Sequence, residues 1–261
     1  MIYPVGKYSI KMVSSSDEDP TFSEGCSAYL VKPDETESLL LQDARISIFQ
    51  GTGEDIFGNG NPGLILEGFS GGAHCCFTYI FADLGDQPVI LGNITNQTGF
   101  YVFKDSSDGK YKVLTSDGAF DYFDDLCHAC TPIPKVVLEL QGRHLRDVSA
   151  KFTADYDEDI EHAKAKITPN QLTMFLTKDN LSEEDQSGSE SDDVRGAILQ
   201  VVLDYLYSGR QKMAWQTLDQ MWPAKDRQRI KDLIMKTKSE GILSQIQTVG
   251  SAPERKLSSA P

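Results

Sequence analysis

Residues 1–154 alternate apolar and polar side chains with a period of two, the pattern of a half-buried β-strand. Tyr8, Ile10 and Met12 give the first clear example. Clusters of Gly, Asp and Asn interrupt the pattern about every ten residues, a spacing typical of all-β domains. The predicted strands are 8–13, 27–31, 38–41, 45–50, 64–69, 77–84, 89–91, 100–103, 111–115, 136–140 and 148–154.

From residue 155 onward the apolar residues recur every three or four positions, which predicts amphipathic helices. The acidic run 155–159 favours a helix start, because carboxylates stabilise the positive end of the helix dipole. Thr168 followed by Pro169 predicts a second start, with Thr168 as the N-cap. Pro223 is expected to open a helix near the C-terminus.

These patterns predict a mainly β fold, either a sandwich or a partial propeller-like stack of sheets, followed by a C-terminal α-helical unit. The charge also changes sign: residues 193–261 contain eleven Lys and Arg against seven Asp and Glu, within a chain of net charge −14. The predicted parts are a β-rich domain over 1–154, a helical connection over 155–180, an acidic flexible linker over 181–192, a helical unit over 193–247 and a disordered tail over 248–261.

The net charge of −14 argues against nucleic acid as a partner, because non-specific nucleic-acid binding requires a cationic surface. The acidic balance weakly favours cationic partners, calcium included, and a protein is the candidate macromolecular partner. No apolar stretch is long enough to span a membrane. The first residues also lack the basic start and apolar run of a signal peptide.

The segment 55–63 has the spacing of a calcium-binding loop, in which oxygen ligands occupy positions 1, 3 and 5 and a glycine occupies position 6. Asp55 takes position 1, Asn59 position 5 and Gly60 position 6, and Asn61 adds a further side-chain oxygen. Position 3 is Phe57, which cannot bind a metal. The loop therefore predicts weak calcium binding at most, and a stronger role in shaping the backbone.

A fainter copy of this loop occurs about fifty residues later, a period that fits a propeller blade. Asp105 and Asp108 repeat the acidic positions, and a predicted strand follows each copy. In the second copy Lys112 stands where a carboxylate would be needed for calcium. This copy is therefore also a poor candidate for a strong metal site.

The segment 55–63 and its continuation 67–79, which contains Ser-Gly-Gly-Ala-His-Cys-Cys, resemble the repeat of FG-GAP and VCBS-type proteins and a set of uncharacterised bacterial proteins of that kind. The resemblance covers roughly residues 50–155. It implies a β-propeller with calcium in its loops and a periplasmic or secreted location. It implies no particular reaction.

Four cysteines and two histidines form two short groups, with Cys26 as the fifth cysteine. Zinc is a less favoured cofactor than calcium, because adjacent cysteines rarely point at one metal although a Cys-x-x-Cys pair can. Disulfides are the stronger alternative, within the second pair or between the two groups. The prolines 132 and 134 disfavour a thioredoxin-like site, which normally opens a helix. The candidate metal ligands are His74, Cys75, Cys76, Cys127, His128 and Cys130.

The sequence contains no complete motif of a serine hydrolase, a zinc protease or a phosphate-binding loop. The acidic run 121–125 is expected to be a solvated loop rather than a catalytic cluster. The favoured function is therefore a non-enzymatic binding or scaffold module. The alternative is a metal-assisted hydrolase that uses the histidine and cysteine groups.

Overall fold

The computed structural model describes residues 1–14, 25–72, 76–177, 190–251 and 255–256. Strands fill the N-terminal part of the chain, and helices follow from Thr153. The prediction of a mainly β fold with a C-terminal helical region is therefore confirmed.

The strands are β1 (Ile2–Val5), β2 (Tyr8–Ser14), β3 (Cys26–Val31), β4 (Glu37–Asp43), β5 (Arg45–Ile48), β6 (Gly63–Phe69), β7 (Phe77–Asp83), β8 (Val89–Asn96), β9 (Tyr101–Lys104), β10 (Tyr111–Ser116), β11 (Lys135–Gln141), β12 (His144–Asp147) and β13 (Arg255–Lys256). They form three open sheets, with the orders β1-β2-β3-β4, β13-β8-β7-β6-β5 and β12-β11-β10-β9. Each sheet contains four strands that are consecutive in the chain, and β13 is added to the second.

The alternation read from the sequence corresponds to burial on one face of the first sheet. Tyr8, Ile10 and Leu30 are at most 4% exposed, and they belong to one apolar cluster with Leu64 and Leu66 of the second sheet. The strands β6 and β7 are buried over most of their length, as expected for the centre of a sheet. Burial of these side chains is the main stabilising contribution to this core.

One predicted strand is wrong. The segment 148–154 forms a short 3₁₀ turn at Ser149–Lys151 and then the start of the first helix, whereas the strand lies earlier, at β12. The reason is local: the tight turn at Gly142 and Arg143 returns the chain immediately after β11. The Ser149 amide then donates its hydrogen bond to the Asp147 side chain at 2.9 Å rather than to a neighbouring strand. The Ser149 hydroxyl accepts a hydrogen bond from the Val137 amide at 3.0 Å.

The helices are α1 (Thr153–Ala165), α2 (Pro169–Leu176), α3 (Glu190–Tyr207), α4 (Gln211–Met221), α5 (Arg227–Glu240) and α6 (Ile242–Gln245). The predicted start at Thr168 is confirmed, because its hydroxyl accepts a hydrogen bond from the Gln171 amide and the Gln171 side chain completes a capping box. Pro223 does not open a helix; it lies in the turn before α5, which begins four residues later. None of the helices in the described ranges is both long and apolar enough to cross a bilayer.

The contacts divide the chain into two compact units. The first unit consists of Met1–Leu114, Leu138–Arg146 and Ser244–Pro261, and the second consists of Thr115–Val137 and Asp147–Leu243. This division differs from the boundary predicted at 154/155, because residues 115–137 pack with the helices. Which unit residues 115–137 join depends on contacts between residues far apart in the chain, and the spacing of apolar residues along the sequence does not report these contacts.

Two smaller predictions about order also need correction. Residues 190–192 of the predicted linker are the start of α3, and the rest of that linker lies outside the described residues. The predicted disordered tail is ordered in its described part: Val249 is 0% exposed, and the Gly250 amide donates a 2.8 Å hydrogen bond to Leu91. Arg255 and Lys256 pair with β8. Burial of Val249 stabilises a segment whose composition alone suggests disorder.

Candidate functional site

The first calcium-like loop lies between β5 and β6 and is closed by its own acidic side chain. The Asp55 carboxylate accepts hydrogen bonds from the amides of Asn59 at 2.8 Å and Gly60 at 2.9 Å. Gly60 has a φ of +86°, a left-handed conformation that favours glycine. Asp55 therefore acts as a cap for the turn, as the loop-shaping interpretation expects.

A buried carboxylate that the sequence analysis did not single out organises the same loop. Asp83, at the end of β7, is 0% exposed and accepts hydrogen bonds from the side-chain amides of Asn59 at 2.8 Å and Asn61 at 3.3 Å. The Arg143 guanidinium lies 2.6 Å from the same carboxylate oxygen. Two predicted calcium ligands therefore point at a carboxylate that an arginine already neutralises.

The second loop lies between β9 and β10 and is closed by a lysine. The Lys112 ammonium, whose side chain is 1% exposed, lies 2.6 Å from Asp105 and 2.9 Å from Asp108. Hydrogen bonds from Lys112 and then from Ser107 lower the pKa of Asp105, and those from Lys112 and the Lys110 amide lower the pKa of Asp108. Burial alone would lower the pKa of Lys112, but these two carboxylates raise it. Both carboxylates are therefore ionised and paired with an internal cation.

The two loops occupy equivalent places in their sheets, since each joins the first and second strands of its group of four. Each is also braced by a cation paired with a carboxylate: Arg143 pairs with Asp83 beside the first loop, and the buried Lys112 pairs with Asp105 and Asp108 of the second. These ion pairs help to hold both loops in shape.

We expect Gly60→Val to destabilise the protein by about 1–3 kcal/mol, the usual cost of a strained backbone position. No atom lies within 4 Å of the position of an added Cβ, so backbone strain is the whole effect. Asp55→Asn should cost less, because the amide oxygen can still accept one of the two backbone bonds. Thermal melts of both variants and calorimetric titration with calcium test this expectation. A micromolar calcium site lost in Asp55→Asn, together with Gly60→Val melting like the parent, would show that the two roles are reversed.

The cysteines are held in disulfides where the structure describes them, apart from Cys26, which is a free thiol in β3. Cys127 and Cys130 bond to each other, one of the pairings left open by the sequence, and Cys76 is also disulfide-bonded. A sulfur in a disulfide is not the thiolate that zinc requires. His74 and Cys75 lie outside the described residues. Within the described ranges, no three His, Cys, Asp or Glu side chains are placed to share a metal ion.

His128 is oriented by a carboxylate instead. Its Nδ1 lies 2.7 Å from Asp121, whose side chain is 3% exposed, while the imidazole itself is 46% exposed. The ring also lies 5.6 Å from that of Tyr122. A buried carboxylate on one ring nitrogen fixes the orientation of an exposed imidazole.

The acidic run 121–125 is not the solvated loop that the sequence predicts. The Asp124 side chain is 8% exposed and is held by two arginines, Arg195 from α3 and Arg229 from α5. Arg195 donates to the Asp124 carboxylate and to its carbonyl, each at 2.8 Å. Tyr122, Asp124 and Asp125 all have positive φ values, between 52° and 60°. Such strain persists only where the surrounding structure over-determines it, and the two arginines do so here.

A groove lies between the segment that follows this run and the helices α1, α2 and α3. One cavity of about 470 Å³ is lined by Cys130, Thr131, Lys166, Asp193 and Gln200, among others. A second cavity of about 360 Å³ shares Ala163, Lys166 and Gln200 with the first and extends past Lys135 and Asp159. Lys166 and Asp193 have no ion-pair partner within the described part of the chain. Besides the Lys135–Asp159 ion pair, the groove therefore offers one charge of each sign and the side-chain amides of Gln171 and Gln200.

Two further buried carboxylates, Asp117 and Asp204, lie in the second compact unit, and the sequence around them gives little sign of their burial. Asp117 accepts hydrogen bonds from the Tyr207 hydroxyl at 2.7 Å and from the Ile242 amide at 3.1 Å, while burial raises its pKa. Asp204 is 0% exposed, and burial raises its pKa to about 7. One of its oxygens accepts from Gln200 at 2.7 Å, and the other has no hydrogen-bond partner. Asp204 lies among apolar residues of α3, which could have suggested its burial, whereas Asp117 follows β10 in a segment that reads as an exposed turn.

Comparison with known proteins places the chain in no group: no protein-family model, no curated protein and no solved structure matches it.

Proposed function

We propose that this chain is a non-enzymatic binding or scaffold module with FG-GAP/VCBS-like repeats. The observation that carries the proposal is the pairing of Lys112 with Asp105 and Asp108 in the second loop, together with the Arg143–Asp83 pair that holds Asn59 and Asn61 of the first. These ion pairs give both loops a fixed shape. Preorganised loops on a rigid sheet are typical of recognition surfaces.

The finer part of the fold prediction, a partial propeller-like stack, belongs to the same proposal. Three successive groups of four chain-consecutive strands, with loops at equivalent places in the second and third, support a blade-like repeat. Disulfides at Cys76 and at Cys127–Cys130 support the periplasmic or secreted location that the resemblance implies.

The proposed partner is a protein that places an extended segment in the groove of the helical unit. Gln200 and Thr131 have side-chain oxygens that can accept a hydrogen bond from a peptide backbone, and Lys166 and Asp193 provide one charge of each sign. A segment with both an acidic and a basic side chain matches this lining. The amide of Gln200 already donates to Asp204, which fixes its orientation toward a partner.

Selection of displayed linear peptides on the immobilised full-length protein tests this proposal. We expect enrichment of peptides with charges of both signs, and we expect Ala129→Trp to abolish their binding because Ala129 lines the larger cavity. Met174→Trp is the matched control, since Met174 is 70% exposed and does not line that cavity. Equal binding to the parent and to Ala129→Trp would rule out the groove as the site.

A further inference from the structure

The disulfide between Cys127 and Cys130 contributes little to holding distant parts of the chain together. It closes a loop with only two residues between the cysteines, and disulfide stabilisation decreases as the loop shortens. Backbone bonds already close the same turn: the amides of Cys130 and Thr131 both donate to the Cys127 carbonyl, at 2.9 and 3.0 Å. The Thr131 hydroxyl donates to that carbonyl as well, at 2.9 Å. The turn therefore has its own support without the sulfur–sulfur bond.

The two cysteines differ in accessibility. Cys127 is exposed, whereas Cys130 is half-buried and its carbonyl lies against α3, only 2.4 Å from the position a Cβ would take on Gly196. An attacking thiolate can approach an exposed sulfur, and a sulfur on a fixed backbone is suited to leave and return. This asymmetry makes Cys127 the sulfur to be attacked and Cys130 the leaving group.

The turn that carries the two cysteines is held in place on both sides. Of the two residues between the cysteines, His128 is 46% exposed and is oriented by the buried Asp121 carboxylate at 2.7 Å. The backbone before this pair is fixed by Arg195 and Arg229 through Asp124. A fixed turn presents the exposed Cys127 to an attacking thiolate.

We propose that, besides its binding role, the chain has at Cys127 and Cys130 a thiol–disulfide exchange site that oxidises dithiols stoichiometrically, one for each disulfide. A thiolate of the dithiol attacks the Cys127 sulfur, a new sulfur–sulfur bond forms, and Cys130 leaves as a thiolate that takes up a proton. The second thiol of the dithiol then loses its proton and attacks the first sulfur of the same dithiol, which is now bonded to Cys127. The bond to Cys127 breaks, and Cys127 is released as a thiolate that takes up a proton. The protein disulfide gains two electrons and two protons, and the dithiol becomes a disulfide.

The test follows reduction of each disulfide by dithiothreitol in full-length protein, with alkylation and peptide mass spectrometry. We expect Cys127–Cys130 to react at least about tenfold faster than the disulfide of Cys76, because Cys127 is exposed whereas Cys76 is half-buried. We expect protein reduced at Cys127–Cys130 alone to keep its thermal unfolding midpoint. A rate no faster than that of the Cys76 disulfide, or unfolding when Cys127–Cys130 alone is reduced, would overturn the proposal and leave a structural bond.

Variants separate the roles of the residues. In a Cys26→Ser background, Cys130→Ser should form a stable mixed disulfide with glutathione at Cys127, whereas a Cys127→Ser variant should leave Cys130 largely unmodified. His128→Gln should leave this difference between the two cysteines unchanged, because the exposure of Cys127 and the fixed backbone of Cys130 produce it. Comparing glutathione with a cysteine-pair peptide of about ten residues distinguishes a small thiol from a protein dithiol as the natural substrate. Equal adducts on both cysteines, or adducts on Cys130 alone, would contradict the assigned roles.

Discussion

Replacing Arg195 by methionine should destabilise the protein by about 3–5 kcal/mol, the usual effect of removing one partner from a buried ion pair. The Arg195 side chain is 2% exposed, and its guanidinium lies 2.8 Å from Asp124 and 3.4 Å from Asp192, whose side chains are also buried. Methionine has a similar length but leaves both carboxylates without this cation. Urea unfolding measured by fluorescence and circular dichroism gives the free energy directly.

Arg229→Met is the matched control, because Arg229 contacts the same Asp124 carboxylate from a side chain that is 49% exposed. Its loss should cost clearly less, since solvent can replace an exposed partner. If Arg195→Met costs no more than Arg229→Met, the strained segment 122–125 is not fixed by the buried arginine.

Replacing Asp204 by asparagine should stabilise the protein at pH 8 by up to about 4 kcal/mol, the equivalent of three pKa units. Burial raises the pKa of Asp204 to about 7 in the folded protein, against 3.8 for an ordinary aspartate. Between these values the folded state binds one more proton than the unfolded state. Stability therefore falls as the pH rises from about 4 to about 7 and then stays level.

Asparagine removes this charge, so the variant and the parent should be similarly stable near pH 4 and should diverge toward pH 8. The groups that face Asp204 are Gln200, Asp159, Lys135 and Arg210. Asp219→Asn is the control, because that carboxylate is exposed on α4 and should give no such divergence. Chemical denaturation at a series of pH values measures the effect. A variant that is less stable than the parent at both ends would mean that the ionised carboxylate is favourable in the fold.

The strands were predictable to the extent that local pattern decides them. The alternation at Tyr8 and Ile10, and the apolar runs at 64–69 and 77–84, predicted β2, β6 and β7 within one or two residues. The cap at Thr168 was predictable because capping involves residues only three positions apart. The segment 148–154 was wrongly predicted as a strand. The turn at Gly142 and Arg143 starts the returning strand at His144, so this strand has already ended when residue 148 is reached, whatever the strand propensity of 148–154.

The candidate site divides in the same way. Lys112 follows its acidic partners by seven and four residues, so the sequence could suggest their pairing. Arg143 lies 60 residues from Asp83, and Arg195 lies 71 residues from Asp124, so only the fold brings these charges together. Burial of Asp117 and Asp204 depends on packing within the helical unit, which no local pattern reports.

The most direct test of the proposed scaffold role is the response of the loops to calcium. Thermal melts of the parent and of Lys112→Met would be compared in chelator and in about 5 mM calcium, a concentration that saturates even weak extracellular sites. We expect the same midpoint for the parent in both conditions, because the Lys112 ammonium already occupies Asp105 and Asp108. Lys112→Met should melt lower in chelator and should regain part of the loss in calcium, since two carboxylates then face each other without a cation. A calcium-dependent rise in the midpoint of the parent, lost in Asp105→Asn, would contradict this account and make the loop a metal site.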